Sequence, residues 1–173
     1  FEKNVGRFMS EYGMQSFPSM KTIETFTTQK DRSINSEVMS FHQKASLGTG
    51  NLMMYIEKHY NVPKDFEKIV ILSQIMQAEA IKYAVEAHRK NRPFCMGTLY
   101  WQFNDCWPGL SWSSIDYRGD WKALHFAAKD FYSPILTTII RNNDTIDVHI
   151  INDLNKVLII DLNVSIRSFN GEI

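Results

Sequence analysis

Phe94 to Phe103 (FCMGTLYWQF) is nearly continuous apolar sequence. A half-buried strand alternates apolar and polar residues, whereas an unbroken run of this length fits a strand covered on both faces, as in a parallel sheet. The residues before it agree. Between Asp65 and Asn91, Phe66, Ile69, Val70, Ser73, Met76, Ala80, Tyr83, Ala84 and Ala87 follow the 3.6-residue period of an amphipathic helix. His88, Arg89 and Lys90 fall in its last turn, where cations suit the helix dipole, and Arg92-Pro93 ends it. After the run, Asn104 to Trp112 reads as a loop and Asp116-Tyr117-Arg118-Gly119 as a turn. Asp120 is placed to cap a helix through Tyr132.

The same alternation of strand and helix precedes this unit. Val5 to Tyr12 (VGRFMSEY) reads as a short strand that ends in a carboxylate, Glu11, just before Gly13. Phe17-Pro18-Ser19 turns the chain into a short helix near residues 20–27. Ser33 or Asn35 is placed to cap a helix over 36–45, and Leu47-Gly48-Thr49-Gly50 is expected to break it. A further helix over 51–60 stops before Val62-Pro63. Two β–α units in series are what the end of a (β/α)₈ barrel looks like, and in such barrels catalytic groups sit at the C-terminal ends of strands. After Ser133-Pro134 the texture changes to β-branched runs, 135–141, 145–151 and 157–168, separated by Asn/Asp turns. The fold class expected is therefore α/β. Residues 1–133 form the last two β/α units of a TIM barrel, and 134–173 the first strands of an immunoglobulin-like β-sandwich.

Composition excludes several functions. Lys plus Arg equals Asp plus Glu at 19 each, so no basic footprint for nucleic acid exists. No apolar run reaches the length of a membrane span. The five histidines are scattered without metal-ligand spacing, and Gly48-Thr49-Gly50 lacks the lysine of a phosphate loop, so neither a metal site nor a phosphate loop is expected. Cys95 and Cys106 are separated by an extended run and a loop, and free thiols are expected. That leaves the compartment open: periplasmic, secreted or lysosomal-type for a longer protein, or cytoplasmic. The chain begins at Phe1 with no signal peptide and stops at Gly171-Glu172-Ile173 after a strand-like run, which together suggest a piece of a longer polypeptide.

Chemistry concentrates at the two strand ends. Glu11 is the sharpest candidate, since retaining glycoside hydrolysis needs one ionised carboxylate to attack the anomeric carbon. Arg7, four residues earlier on the same strand, shares its face and could reach it as a cation. The plain alternative is a surface or ion-paired glutamate at a strand end. Trp101 is the second candidate. All four tryptophans fall between Trp101 and Trp121, and an indole face suits the apolar C–H face of a pyranose. Gln102, Asn104 and Asp105 offer donors and acceptors for sugar hydroxyls or for holding Glu11. Here the alternative is a core tryptophan followed by loop-capping residues. Trp107 and Trp112 either wall the site or pack the barrel, with packing favoured for Trp112. Trp121 and His125, four apart, are expected to pack together on one helix face.

Two long motifs resemble one family. Residues 7–18 (RFMSEYGMQSFP) are similar to the nucleophile segment of β-mannosidases of glycoside hydrolase family 2, and residues 97–108 (GTLYWQFNDCWP) to the last barrel strand of those enzymes. Trp112 and residues 116–131 (DYRGDWKALHFAAKDF) also match, so that nearly all of 1–133 is covered. The resemblance implies that Glu11 is the nucleophile, flanked by Tyr12, and that Trp101 contacts the sugar at the cleaved end. It implies hydrolysis of terminal, non-reducing β-mannosyl residues with retention and without an organic cofactor. It also implies a general acid in an Asn-Glu pair upstream, which nothing in this chain matches.

The expected partners are accordingly β-mannosides and the upstream domains of the same polypeptide. One carboxylate cannot both attack and protonate the leaving group, a loss of roughly 10²–10⁴-fold, so residues 1–173 alone are expected to be inactive. Two other readings stay open: another family 2 activity, such as β-galactosidase or β-glucuronidase, and a non-catalytic sugar-binding module.

Overall fold

The computed structural model describes residues 4–172; Phe1–Lys3 and Ile173, which bear on the expectation of a cut chain, lie outside the described residues. The helices are α1 (Met20–Ile23), α2 (Glu37–Phe41), α3 (Gly48–His59), α4 (Phe66–Lys90) and α5 (Ala123–Phe131), followed by β1 (Ile135–Asn142) and β2 (Thr145–Asn152). Among them α4 is the organising element. Asp65 caps it, accepting the Lys68 N–H at 3.0 Å. Ile69, Val70 and Met76 in its first half join Phe17, Ile23, Met39, Leu52, Ile56 and Leu110 in one apolar cluster. Ala78, Ile81 and Val85 further along pack with Leu124, Ala128 and Phe131 of α5 in a second. The expected apolar stripe was partly wrong at its C-terminal end: Tyr83 is exposed, while Gln77, His88 and Arg89 are buried.

Helix boundaries differ from expectation: α1 ends at Ile23 and not near residue 27, α2 ends at Phe41 and not at 45, and the starts differ too. Ser36, not Ser33 or Asn35, caps α2 by accepting the Met39 N–H. The helix break falls over 42–47, and Gly48 starts α3 from a buried position where a Cβ would collide with the Gln15 and Gln43 side chains. Lys122, not Asp120, occupies the cap position of α5, because the Asp120 carboxylate is engaged by the Ser19 hydroxyl at 3.0 Å.

The two strand-like segments lie side by side and parallel, but with only one regular bridge, Met9 to Thr98. Met9 N–H donates to the Gly97 carbonyl and Leu99 N–H to the Met9 carbonyl, both at 2.9 Å. Before them Met96 N–H reaches the Arg7 carbonyl, and after them Trp101 N–H reaches the Tyr12 carbonyl at 2.7 Å. From Met9 to Tyr12 the first segment takes three steps while the second, from Leu99 to Trp101, takes two. The extra residue is a bulge at Ser10–Glu11, which interrupts the continuous strand expected there.

Burial on both faces is also not met. Cys95 is buried and Tyr100 packs against the α4–α5 cluster, but Phe94, Met96, Leu99, Trp101 and Phe103 are exposed. Cys95 and Tyr100 pack inward and the Phe8 ring lies against Gly97, while Leu99, Trp101 and Phe103 stay open.

β1 and β2 form an antiparallel hairpin, with Leu136 paired to Ile151 and Thr138 to His149. Asn143 takes a positive φ of 50° in its turn, a conformation asparagine tolerates. Leu136, Thr138 and Ile151 face inward. Thr138 donates to Glu86 of α4 at 2.9 Å, and Arg89 of α4 donates to Asp153 at 2.9 Å. The third run, 157–168, forms no strand: Val157 and Ile159 are almost fully exposed, since no described segment offers it a ladder. Cys95 and Cys106 are free thiols. Among the described residues no helix is long and apolar enough to cross a membrane.

Candidate active site

The parallel pair brings Glu11 and Trp101 to the same end of two adjacent segments. Glu11 lies in the bulge and is exposed, one residue before the carbonyl that receives the Trp101 N–H. Trp101 is about half exposed at 48%, leaving indole surface open. Its peptide bond to Gln102 is cis. The next residue on the first segment, Gly13, is in close contact with both the Trp101 carbonyl and the Trp112 ring. Trp112 is half-buried here against Gly13, beside the segment that carries Glu11.

The supporting residues are placed differently from expectation. Arg7 makes no ion pair with Glu11 among the described residues; its guanidinium lies over the Phe94 ring, 5.6 Å from the centroid. The bulge breaks the period-two relation that would have kept the two on one face. Tyr12 turns toward α4. Its hydroxyl is 2.6 Å from Thr98 Oγ1, and its ring meets His88 edge-on at 4.9 Å. Burial pushes the Tyr12 phenol above its ordinary value, against hydrogen bonds with Thr98 and Tyr132 that pull it down.

Gln102 and Asp105 serve their own loop. Gln102 Nε2 donates to the Asn104 carbonyl at 2.9 Å and lies 3.4 Å from Asp105 Oδ1. Asp105 Oδ2 accepts from Ser111 at 2.8 Å and Ser113 at 2.6 Å. Asn104 is exposed, its backbone paired with Ile115.

Several residues that organise this rim were not singled out in the sequence. Asp116 is 2% exposed and accepts from Ser19 N–H, Thr22 Oγ1, Arg118 N–H and Asp120 N–H. Burial alone would raise its carboxyl, but these bonds outweigh it and hold the group below the usual range. Gly119 takes φ 89° to close that turn. Lys122 is wholly buried. No spacing rule marks a lone buried lysine, and only the adjacent Asp116 and Asp120 hinted at it.

A second aromatic group sits in the two loops beyond the strand ends. His42 stacks on Phe26 at 3.8 Å and lies 5.5 Å from Trp107, over whose ring Lys44 Nζ sits at 3.9 Å. Trp121 meets His125 at 4.4 Å, but not along one helix face as expected, because it precedes α5 and its backbone pairs with Ile115.

An exposed carboxylate and an open indole thus stand at one end of paired parallel segments backed by helices, an arrangement that glycoside hydrolases use. The comparisons agree. No family profile matches the chain. The β-mannosidase of Capra hircus is 35% identical over 161 residues, which cover 86% of this chain and 18% of the goat protein. β-Mannosidase B of Aspergillus terreus is 35% identical over 147 residues. Among solved structures, the β-D-mannosidase of Dictyoglomus thermophilum superposes with a TM-score of 0.82 at 39% identity, over 85% of this chain and 18% of that one. An exo-chitosanase of Amycolatopsis orientalis, 20% identical with a TM-score of 0.66, shares the fold.

By these likenesses the chain is a glycoside hydrolase segment, similar to one part of the β-mannosidases. It spans about a fifth of the length of the curated relatives it matches.

Proposed function

We propose that this chain is the nucleophile-bearing segment of a retaining exo-β-mannosidase. In this reading Glu11 attacks the anomeric carbon of a terminal β-mannosyl residue, and Trp101 floors the subsite for that sugar. A general acid from elsewhere in a longer polypeptide protonates the leaving oxygen, and the ester on Glu11 is then hydrolysed. Residues up to 133 are the last two β/α units of a barrel, and residues from 134 open a β-sandwich. The observation that carries the reading is the Tyr12–Trp101 backbone hydrogen bond, which holds the segment bearing Glu11 against the one bearing the open Trp101 indole. The exposed apolar face of Leu99 and Phe103 suits contact with the remaining barrel, and the exposed Ile139, Ile146 and Ile150 suit a second sandwich layer.

A 2-fluoro-mannosyl reagent with a good leaving group tests the role of Glu11 in the full-length chain. Covalent label on Glu11 is expected, and an active chain that carries no label there would eliminate the nucleophile. Residues 1–173 alone are expected to turn over p-nitrophenyl β-mannoside negligibly, because one carboxylate and two strands cannot complete the site.

A further inference from the structure

Beneath the rim lies a cation that the proposed chemistry does not use. Lys122 is fully buried, and its Nζ donates to the Ser111 carbonyl at 3.3 Å. That same carbonyl accepts the Ser16 N–H at 2.9 Å, while the Ser16 carbonyl accepts the Ser111 N–H at 3.1 Å. Ser16 belongs to the segment that leaves Glu11, and Ser111 to the loop that leaves Trp101. Lys122 therefore grips the joint between the two.

The joint is linked back to Trp101 by a chain of polar groups. The Ser111 and Ser113 hydroxyls donate to Asp105 Oδ2, and the Gln102 amide lies against Asp105 Oδ1. Gln102 N–H is fixed to the Trp112 carbonyl at 3.0 Å. Lys122, Ser111, Asp105 and Gln102 thus form a continuous path from a buried ammonium to the residue that follows the indole.

We propose that Lys122, balanced by Asp105 through Ser111, is a positioning residue for hydrolysis: its ammonium fixes the 102–114 loop on the 13–16 segment and so sets Trp101 against Glu11. The inference rests on the β-mannosidase reading above.

Burial lowers the Lys122 amine to about 7, with Asp105 and Asp116 opposing part of that shift. The surrounding elements add no further charge to this balance. On α4, neutral Gln74 receives the Ala123 N–H and neutral Gln77 donates to the Ser113 carbonyl. On α1, neutral Thr22 bonds to Asp116. His125, one turn along α5, faces Ser114 Oγ at 3.1 Å. Loss of the Lys122 proton near neutrality removes the positive charge facing Asp105 and leaves a neutral amine whose bond to the Ser111 carbonyl is weaker, so the joint is held less firmly.

The test is the pH profile of kcat in the full-length chain with p-nitrophenyl β-mannoside. An alkaline limb is expected at about pH 7. Lys122→Arg, whose charge persists, should move that limb at least about one pH unit higher. Asp105→Asn, which removes the carboxylate favouring the ammonium, should move it lower. KM should change less than about twofold in both. A limb set by the general acid alone would not respond in opposite directions.

Limbs that stay at the wild-type pH, or shift the same way, overturn the proposal, and Asp105→Asn decides alone if the arginine variant does not fold. The wild-type limb offers a check without any variant. It should move to lower pH on warming, as ammonium ionisation does and carboxyl ionisation scarcely does; a limb indifferent to temperature overturns the proposal. Labelling of Glu11 in the same preparations separates the two ideas. Label with unmoved limbs removes only the role of Lys122, whereas an active chain without label removes the reading on which it rests.

Discussion

The Tyr12 carbonyl accepts the Trp101 N–H at 2.7 Å, and the backbone contact continues at the next residue, where the Trp101 carbonyl lies in the space a side chain on Gly13 would need. A Cβ on Gly13 would stand 2.3 Å from that oxygen and 3.0 Å from Trp112 Cδ1. Backbone on one side and an indole on the other leave no flexible group to give way. Gly13→Ala should therefore cost about 1–3 kcal/mol of stability, the usual range for overpacking. It should also lower kcat by spreading the Glu11 and Trp101 segments. Urea denaturation and steady-state kinetics on the same variant check both effects; an alanine variant with unchanged midpoint and kcat would show that the contact is not maintained.

How far the sequence revealed this arrangement can be judged residue by residue. The long helix was legible because Asp65, a 25-residue apolar period and Asn91 all agree on its limits. The parallel pairing was legible from the apolar run at Phe94–Phe103, but the bulge was not, since Ser10 and Glu11 carry no glycine or proline to signal it. Arg7 was misjudged for that reason: a strict two-residue period aimed it at Glu11, and one extra residue sends it to Phe94. Lys122, His88 and Arg89 were invisible as interior groups. A sequence pattern counts cations as solvent-facing, while the structure buries them and gives each at least one carbonyl or hydroxyl partner.

Arg89 illustrates the consequence for stability. Its side chain is 6% exposed and donates to the carbonyls of Phe131 and Ser133 and to Asp153, tying the end of α4 to the end of α5 and to the hairpin. Arg89→Met keeps most of the aliphatic stem but strands these acceptors. A loss of about 3 kcal/mol is expected, the range for removing one partner of a buried charged network. Asp153→Ala should cost less, because Asp153 is 40% exposed and Arg89 keeps its two carbonyls. Thermal melts of both variants test the order, and an equal or inverted order would contradict it.

Asp116 should govern part of the acid stability. Its folded carboxyl is held below the unfolded value of about 3.9, since hydrogen bonds from Thr22 and Ser19 outweigh burial. A group with a depressed folded pKa contributes stability that is complete above the unfolded pKa and is lost as pH falls through the folded one. Wild-type stability should thus drop below about pH 4. Asp116→Asn should be less stable at neutral pH, because an amide NH₂ would face donors from Ser19 and Thr22 or from Arg118 and Asp120. It should also lose less on acidification. Urea midpoints between pH 3 and 7 provide the comparison, and parallel curves for the two proteins would refute this assignment.

Lys122 should act on stability in the opposite pH range, independently of any catalytic role. Its folded amine is lowered to about 7 by burial, whereas an unfolded lysine titrates near 10.4. Below about pH 7 both states are protonated and the folded protein bears the full cost of a buried ammonium. Between about 7 and 10.4 the unfolded state binds one more proton, so stability rises with pH, by at most about 1.4 kcal/mol per unit. Lys122→Met removes the titrating group and should flatten this rise. The stability difference between variant and wild type, measured from pH 6 to 10, should therefore shift in favour of the wild type as pH increases. A difference independent of pH would mean that the ammonium stays protonated throughout, its charge fully met by Asp105 and Asp116.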